Sequence, residues 1–133
     1  MTFAGVNYVA VVIAALAGFG TGAAWYMILG RFWLAALGKR KEDMNPSPTP
    51  FLIAIVANLV MAFMLAGVIG HLGAVNLKNG IISGALIWLG FVITTMGVNH
   101  AFSGAKTSLT LIDGGHWLAV LLVMGAVIGA FGV

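Results

Sequence analysis

Four long apolar segments, separated by short polar breaks, constrain this chain more than any other feature of its sequence. They cover approximately residues 4–29, 50–72, 79–102 and 110–132. A hydrocarbon core about 30 Å thick needs roughly 20 apolar residues in each crossing helix, and every segment is at least that long. Because lipid offers the backbone no hydrogen-bond partners, and because the alternation of a membrane β-strand is absent, each segment is predicted to be helical.

The composition points to the same class of protein. Hydrophobic residues make up 62% of the sequence and charged residues only 7%, whereas a soluble domain carries about 25% charged residues. We therefore predict an all-α integral membrane protein, a single domain over residues 1–133 with four transmembrane helices in one bundle. The lipid bilayer is its expected environment. Nucleic acid is not an expected partner, because the net charge is only +3.

The basic residues predict the orientation of the spans. The break "GKRKEDMNPSPTPF" belongs to a predicted loop over residues 30–49, and its prolines oppose helix. The positive-inside rule places the loops that are richer in Lys and Arg in the cytoplasm. The first and third loops are then cytoplasmic and both termini are outside, which in a bacterial inner membrane means the periplasm. The residues that decide this are Arg31, Lys39, Arg40, Lys41 and Lys106 on one side, against Lys78 on the other.

Small residues recur at intervals of four within three of the segments. Such residues let the backbones of neighbouring membrane helices approach closely, so we predict that they form helix-packing faces. The sequence leaves open whether these faces meet inside one chain or between chains. The predicted packing residues are Ala10, Ala14, Gly18 and Gly22 in the first span, Gly80 and Gly84 in the third, and Gly125 and Gly129 in the fourth.

Polar side chains fall mostly in the predicted cytoplasmic half of the spans, when depth is counted from a rise of about 1.5 Å per residue. Polar groups in lipid face the bundle interior or a watery cavity, so a polar cluster or a vestibule is predicted there. A plainer interpretation is open for several of them, as hydrogen bonds between helices or, for Tyr26, a place in the interfacial aromatic belt. The candidates are Thr21, Tyr26, Asn58, Thr95, Asn99, His100, Asp113 and His116.

Asp113 lies in the stretch "LTLIDGGHWLAVLLV", at the head of the fourth apolar run. If the helix begins near Asp113, the carboxylate caps its N-terminus at the membrane boundary, where the helix dipole favours it. If the helix begins near Thr107, Asp113 lies one to two turns deep. In that second case, Asp113 with His116 or His100 is a candidate proton-handling pair or cation site.

Motifs of known reaction chemistry are absent from the sequence. There is no HExxH, P-loop or GxSxG pattern, there is no cysteine, and no two histidines are spaced i, i+3 or i, i+4. We therefore predict no enzyme activity, no metal and no cofactor. Two functions remain: a binding or accessory subunit, or an oligomeric transporter or channel for protons, cations or a small solute that uses the polar cluster. Either is expected as a homo-oligomer or as part of a larger membrane complex.

The strings "GAAWYMILGRFW" and "GALIWLGFV", and "LTLID" ahead of "LLVMGAVIGA", resemble a family of small bacterial membrane proteins known as domain of unknown function 1761. The resemblance covers nearly the whole chain and implies a stand-alone four-helix membrane protein without an established activity. That family tends to have asparagine at position 113 and Tyr-His at 116–117, which implies that a carboxylate mechanism is not a family property. The signature positions are Asn7, Gly22, Trp25, Tyr26, Gly30, Trp33, Gly84, Trp88, Gly90, Phe91 and Gly125.

Overall fold

Four long helices joined by short loops form the protein in the computed structural model, which describes residues 5–132. They are α1 (Tyr8–Leu37), α2 (Thr49–Leu72), α3 (Leu77–Ser103) and α4 (Thr107–Phe131). Each is long and apolar enough to cross a membrane, which confirms the prediction of four helices of membrane-spanning length. The predicted start of the first span, at residue 4, lies outside the described residues.

The loop that follows α1 is shorter than the predicted 30–49. Asn7 caps the start of α1 by accepting a hydrogen bond from the Ala10 N–H at 3.1 Å, and no residue breaks the helix before Gly38, which adopts φ +71°. Glycine takes this left-handed conformation without steric cost. Residues 31–37 therefore continue α1, and its 30 residues give a length of about 45 Å.

The start of α4 decides between the two placements of Asp113. The helix begins at Thr107, after Lys106 in extended conformation, and no acidic residue lies in its first turn. The interpretation of Asp113 as an N-terminal cap is therefore wrong. Nothing between Thr107 and Asp113 opposes helix formation, so the helix begins near the polar residues that follow Lys106, and Asp113 lies in its second turn.

Helix α3 contains a π-helical turn at Trp88–Val92, between the α-helical stretches Leu77–Ile87 and Ile93–Ser103. The Ile93 N–H bonds to the Trp88 carbonyl, five residues back. One extra residue in a turn rotates the following side chains relative to the preceding ones. Such turns are rare and often lie at functional sites.

Helix α4 is the centre of the bundle, with its most extensive contacts to α1 and α3, while α2 packs mainly on α1. Helices α1 and α4 are antiparallel: Trp25 contacts Ile112, and Gly18, earlier in α1, contacts Met124, which is later in α4. The buried core contains mostly small or aliphatic side chains. Its most completely buried members include Ala14, Ala62, Ile69, Val120 and Met124.

The glycines of α3 and α4 bring two backbones into direct contact. A Cβ at Gly80 would meet the Gly125 carbonyl, a Cβ at Gly84 would meet that of Leu121, and a Cβ at Gly129 would meet that of Asn76. On α1, Ala10 and Ala14 are buried and Gly18 faces Met124. The predicted packing residues thus lie at contacts inside one chain.

The outer surface of the bundle is apolar, in keeping with a multi-pass membrane protein. Long hydrophobic side chains point away from the core on all four helices. An exposed apolar surface of this extent marks contact with a membrane or with other proteins. Among these side chains, Met27, Ile28, Phe91 and Phe102 are 73–90% exposed.

Candidate functional site

Two neighbouring aromatic residues of α1 bind α4 at Asp113. The Trp25 indole N–H donates to the Ile112 carbonyl at 3.1 Å, and the Tyr26 hydroxyl donates to Asp113 Oδ1 at 2.5 Å. Hydrogen bonds to a carboxylate are shorter and stronger than those between neutral groups. The partner that holds the Asp113 side chain is thus a phenol hydroxyl of the neighbouring helix.

A third aromatic donor approaches the same point from α3. The Trp88 indole N–H donates to the Gly114 carbonyl at 2.8 Å. Trp88 is the first residue of the π-helical turn. Residues 112, 113 and 114 of α4 are thus each held by an aromatic side chain from another helix.

His116 lies one turn beyond Asp113 among aromatic rings. Its ring centroid is 5.0 Å from that of Tyr26 and 4.4 Å from that of Trp117. The residue is 8% exposed, and its Nδ1 is buried without a hydrogen-bond partner in the described part of the chain. The absence of a side chain at Gly22 makes room for this ring, since a Cβ there would lie 2.7 Å from Nε2 of His116.

Asn58 on α2 presents a second unpaired polar atom. The side chain is 5% exposed, and its Nδ2 donates to the Ala54 carbonyl at 2.8 Å. Its Oδ1 is buried and has no hydrogen-bond partner among residues 5–132. This oxygen lies against Gly18, where a Cβ would be 2.7 Å away.

A partly open groove of about 310 Å³ between α1, α2 and α4 contains both residues with unpaired atoms. Apart from Asn58 and His116, its walls are apolar or glycine. Phe51 and Ile53 on its α2 side are themselves well exposed, so the groove opens onto the apolar outer surface. The remaining lining residues are Gly18, Phe19, Gly22, Ala23, Pro50, Ala54, Ala57 and Trp117.

The structure divides the predicted polar cluster. Tyr26, Asp113 and His116 lie together, and Asn58 shares the groove with His116. His100 instead pairs with Thr110, Nδ1 to Oγ1 at 2.8 Å, where α3 turns into α4.

The other three predicted members make no hydrogen bond to this group within residues 5–132. Thr21 donates to the Ala17 carbonyl of its own helix at 2.7 Å. Thr95 likewise donates within α3, to the Phe91 carbonyl at 2.7 Å, and Asn99 is exposed. Thr95 and Asn99 are both exposed, so placing these two residues in the cluster is wrong, whereas the intrahelical bond of Thr21 does not decide its place. Threonine readily bonds back to helix carbonyls, and depth along a helix does not say which face a residue occupies.

Sequence reasoning missed the indole donors at this site. Trp25 and Tyr26 fit an interfacial aromatic belt by position alone, but both bind α4. The available signal was the indole group itself, because a buried Trp N–H usually finds an acceptor. Trp88 carries the same signal. It is also the first residue of the π-helical turn, which no pattern in the sequence predicts.

The carboxylate and imidazole groups do not form a metal-binding set. Within residues 5–132, no three His, Asp or Glu side chains come close enough together to hold a metal ion. The chemistry available at the site is hydrogen bonding: one carboxylate with its phenol, one imidazole and one amide.

Four long apolar helices with few polar side chains along them define a small multi-pass membrane protein. A family model described as "Protein of unknown function (DUF1761)" matches residues 9–129. The chain belongs to this family, as the resemblance predicted. No curated protein and no solved structure matches the chain.

Proposed function

We propose that this chain is a binding or accessory subunit of the bacterial inner membrane, and that it binds a small molecule from the lipid phase. The observation that carries the proposal is the groove between α1, α2 and α4, which is lined by Asn58 and His116; Oδ1 of the first and Nδ1 of the second are buried without a partner among residues 5–132. An unsatisfied buried polar atom costs about 1–3 kcal/mol. A ligand in the groove toward which these two side chains turn would recover part of that free energy, which favours a binding role.

The proposed orientation follows the charge distribution. Five of the six basic residues lie in or beside the first and third loops, and Lys78 is the exception. The positive-inside rule then puts those two loops in the cytoplasm and the termini on the outer side. With this orientation, Tyr26, Asn58 and Asp113 lie in the half of the bundle nearer the cytoplasm.

The packing of the core favours binding over conduction by a single chain. On the far side of the groove, Ile69, Val120 and Met124 are fully buried and fill the space between the helices. A solute would have no polar path past them. The groove is therefore a closed-ended site that a ligand enters from the lipid side.

Transport or channel activity by an oligomer is the second candidate function. It is favoured by the contact of Tyr26 with both Asp113 and His116, because ionisable groups inside membrane proteins often lie on proton or ion pathways. Proton and cation flux into vesicles, measured for the wild type and for Asp113→Asn, tests it. Flux that is lost in the variant supports transport. No flux in the wild type, with its oligomer intact, contradicts it.

Native mass spectrometry of protein extracted with its own lipids tests the binding proposal. We expect a co-purifying small molecule on the wild type that is lost from Asn58→Leu, a variant of similar size without polar atoms. Asn99→Leu is the matched control, because Asn99 is exposed and outside the groove. Wild type and both variants carrying the same molecules, or none, would contradict the proposal. The same spectra give the number of chains in the assembly.

A further inference from the structure

A second groove, the α1–α4 groove, lies between the C-terminal part of α1 and the start of α4. Its volume is about 620 Å³, and it is open to the surroundings. It shares no lining residue with the groove between α1, α2 and α4, so the two are separate features of the bundle. Its apolar walls include Leu29, Phe32, Leu111 and Ile112, and it is also lined by Lys106 and Ser108.

The walls of the α1–α4 groove are accessible to a ligand. Phe32 is 51% exposed and Leu111 is 67% exposed. Lys106 and Ser108, which supply the polar part of the lining, are exposed as well. Apolar side chains exposed on a membrane-spanning bundle lie against lipid. The groove therefore offers an apolar surface for an acyl chain beside a charged side chain.

Two basic residues lie at the same level of the α1–α4 groove. Lys106 lines it directly, and Arg31 Cζ lies 5.1 Å from the ring centroid of Phe32, which forms its α1 wall. The hydrogen bond between Trp25 and Ile112 fixes the register of the two antiparallel helices. Arg31 follows Trp25 by six residues, and Lys106 precedes Ile112 by six. Both cations therefore lie about 9 Å from that bond, toward the same end of the bundle.

The acidic residues of the chain leave these two cations without a counter-charge. Asp43 lies 4.0 Å from Arg40, in an ion pair of the first loop. Asp113 accepts the hydrogen bond of Tyr26, and Glu42 is exposed in the first loop. Among residues 5–132, no carboxylate lies within ion-pair distance of either basic side chain at the groove. The groove thus has two positive charges that an anionic ligand can neutralise.

A phosphodiester is the anion that suits this pair of side chains. The guanidinium of Arg31 presents a planar fork of donors that matches two phosphate oxygens, and Lys106 adds a compact positive charge. Ser108 can donate a further hydrogen bond from its hydroxyl group. Basic pockets between membrane helices bind lipid head groups in this way. In a bilayer, a phosphodiester comes attached to acyl chains, for which the apolar walls provide a surface.

We propose that the α1–α4 groove binds one anionic phospholipid, with its phosphate between Arg31 and Lys106 and an acyl chain along Phe32 and Leu111. A zwitterionic lipid has the same phosphate but also a cationic group, which cancels much of the attraction to the two basic side chains. One Lys or Arg beside an anionic lipid strengthens binding about fivefold, so two give a preference of roughly 25-fold for the anionic lipid.

Native mass spectrometry of the full chain in detergent, titrated with dioleoyl phosphatidylglycerol or dioleoyl phosphatidylcholine, tests the proposal. We expect the first phosphatidylglycerol to bind roughly 25-fold more tightly than phosphatidylcholine. Replacing Arg31 and Lys106 together with glutamine should remove the preference. Replacing Lys39 and Lys41 together with glutamine is the matched control, because it removes the same charge from the exposed first loop and should keep the preference. Asn58→Leu should also keep it, since Asn58 belongs to the other groove.

Equal binding of the two lipids by the wild type overturns the proposal. So does an equal loss of preference in the two double variants, which would mean general attraction to the basic end of the bundle. Arg31→Gln and Lys106→Gln alone should each reduce the preference about fivefold, which keeps the site testable if the double variant does not fold.

Two further probes separate the phospholipid from other anions. Glycerol 3-phosphate, which has the phosphate without acyl chains, should bind at least about tenfold more weakly than phosphatidylglycerol, because it buries no apolar surface. Oleate, which has the chain with a carboxylate, should also bind more weakly, because it offers no phosphate to the guanidinium fork. If either probe binds as tightly as phosphatidylglycerol, the groove is a site for a free phosphate or a fatty acid, and the phospholipid proposal is wrong.

Discussion

Tyr26 donates its hydroxyl proton to Asp113 Oδ1 at 2.5 Å and so joins the middle of α1 to the second turn of α4. The indoles of Trp25 and Trp88 hold the carbonyls on either side of Asp113. An acidic side chain within an apolar helix thus has a defined partner in the same chain. This pairing gives Asp113 a structural role that is independent of any proton or ion movement.

Replacing Tyr26 with phenylalanine should destabilise the bundle. The ring contacts to Trp33 and His116 remain possible, but the carboxylate loses its donor. The free energy of unfolding should fall by about 1.5–3 kcal/mol, the usual contribution of a hydrogen bond to a charged group. Denaturation in mixed micelles measures it, with Tyr8→Phe as control because Tyr8 is exposed. Equal stability of the two variants would contradict the role assigned to this bond.

Asp113→Asn should be tolerated, whereas Asp113→Ala should not. The asparagine keeps an oxygen that accepts from Tyr26, so we expect a loss below about 1 kcal/mol. The alanine variant should lose about as much stability as Tyr26→Phe. Combining Asp113→Ala with Tyr26→Phe should cost less than the two single changes together, because both remove the same bond. Strictly additive losses would show that the two residues do not interact.

The existence and approximate extent of the helices could be predicted because they depend on local properties: runs of apolar residues, and breaks at Gly38, Gly73 and Gly104. The relative rotation of the helices could not. Thr95 and Asn99 have a depth similar to that of Tyr26, yet they face away from it. Which face of α3 meets α4 is decided by the contact of Gly80 with Gly125 and by the π-helical turn.

The sequence predicted several residues of the groove but not the contacts between them. Asn58 and His116 stood out as polar residues in apolar segments, and Gly18 and Gly22 as small residues at a spacing of four. That the two pairs face each other is a tertiary relationship between α1, α2 and α4. No spacing along one helix encodes it, so the sequence alone could not place an unpaired amide oxygen over Gly18.

The proposed orientation predicts which loops a membrane-impermeant thiol reagent can reach. The chain has no cysteine, so single cysteines can be introduced without background. Asn45→Cys, in the exposed first loop, should be labelled only after the membrane is opened. Ala74→Cys, in the exposed second loop, should be labelled in intact cells. The reverse pattern would overturn the orientation while leaving the bundle unaffected.

Trp88→Phe should weaken the contact between α3 and α4. It removes the indole N–H that donates to the Gly114 carbonyl, which is worth about 0.5–1.5 kcal/mol for a neutral pair. Trp33→Phe is the matched control, because it removes the same atoms from a side chain that contacts Tyr26 by its ring. Denaturation in mixed micelles should show the larger loss for Trp88→Phe. A larger loss for Trp33→Phe would mean that the indole bond is not what holds α3 here.

Gly80→Ala should be the most damaging single-methyl change in α3. The added Cβ would collide with the carbonyl of Gly125 and crowd Gly129, and both obstacles are backbone atoms that cannot rotate away. Forced separation of two packed helices costs about 1–3 kcal/mol. Gly97→Ala, in the same helix but with open space around the new Cβ, should leave stability unchanged or raise it, because alanine favours helix. Thermal unfolding in detergent compares the two variants. If Gly80→Ala is as stable as Gly97→Ala, α3 and α4 do not approach as closely as the glycine contacts require.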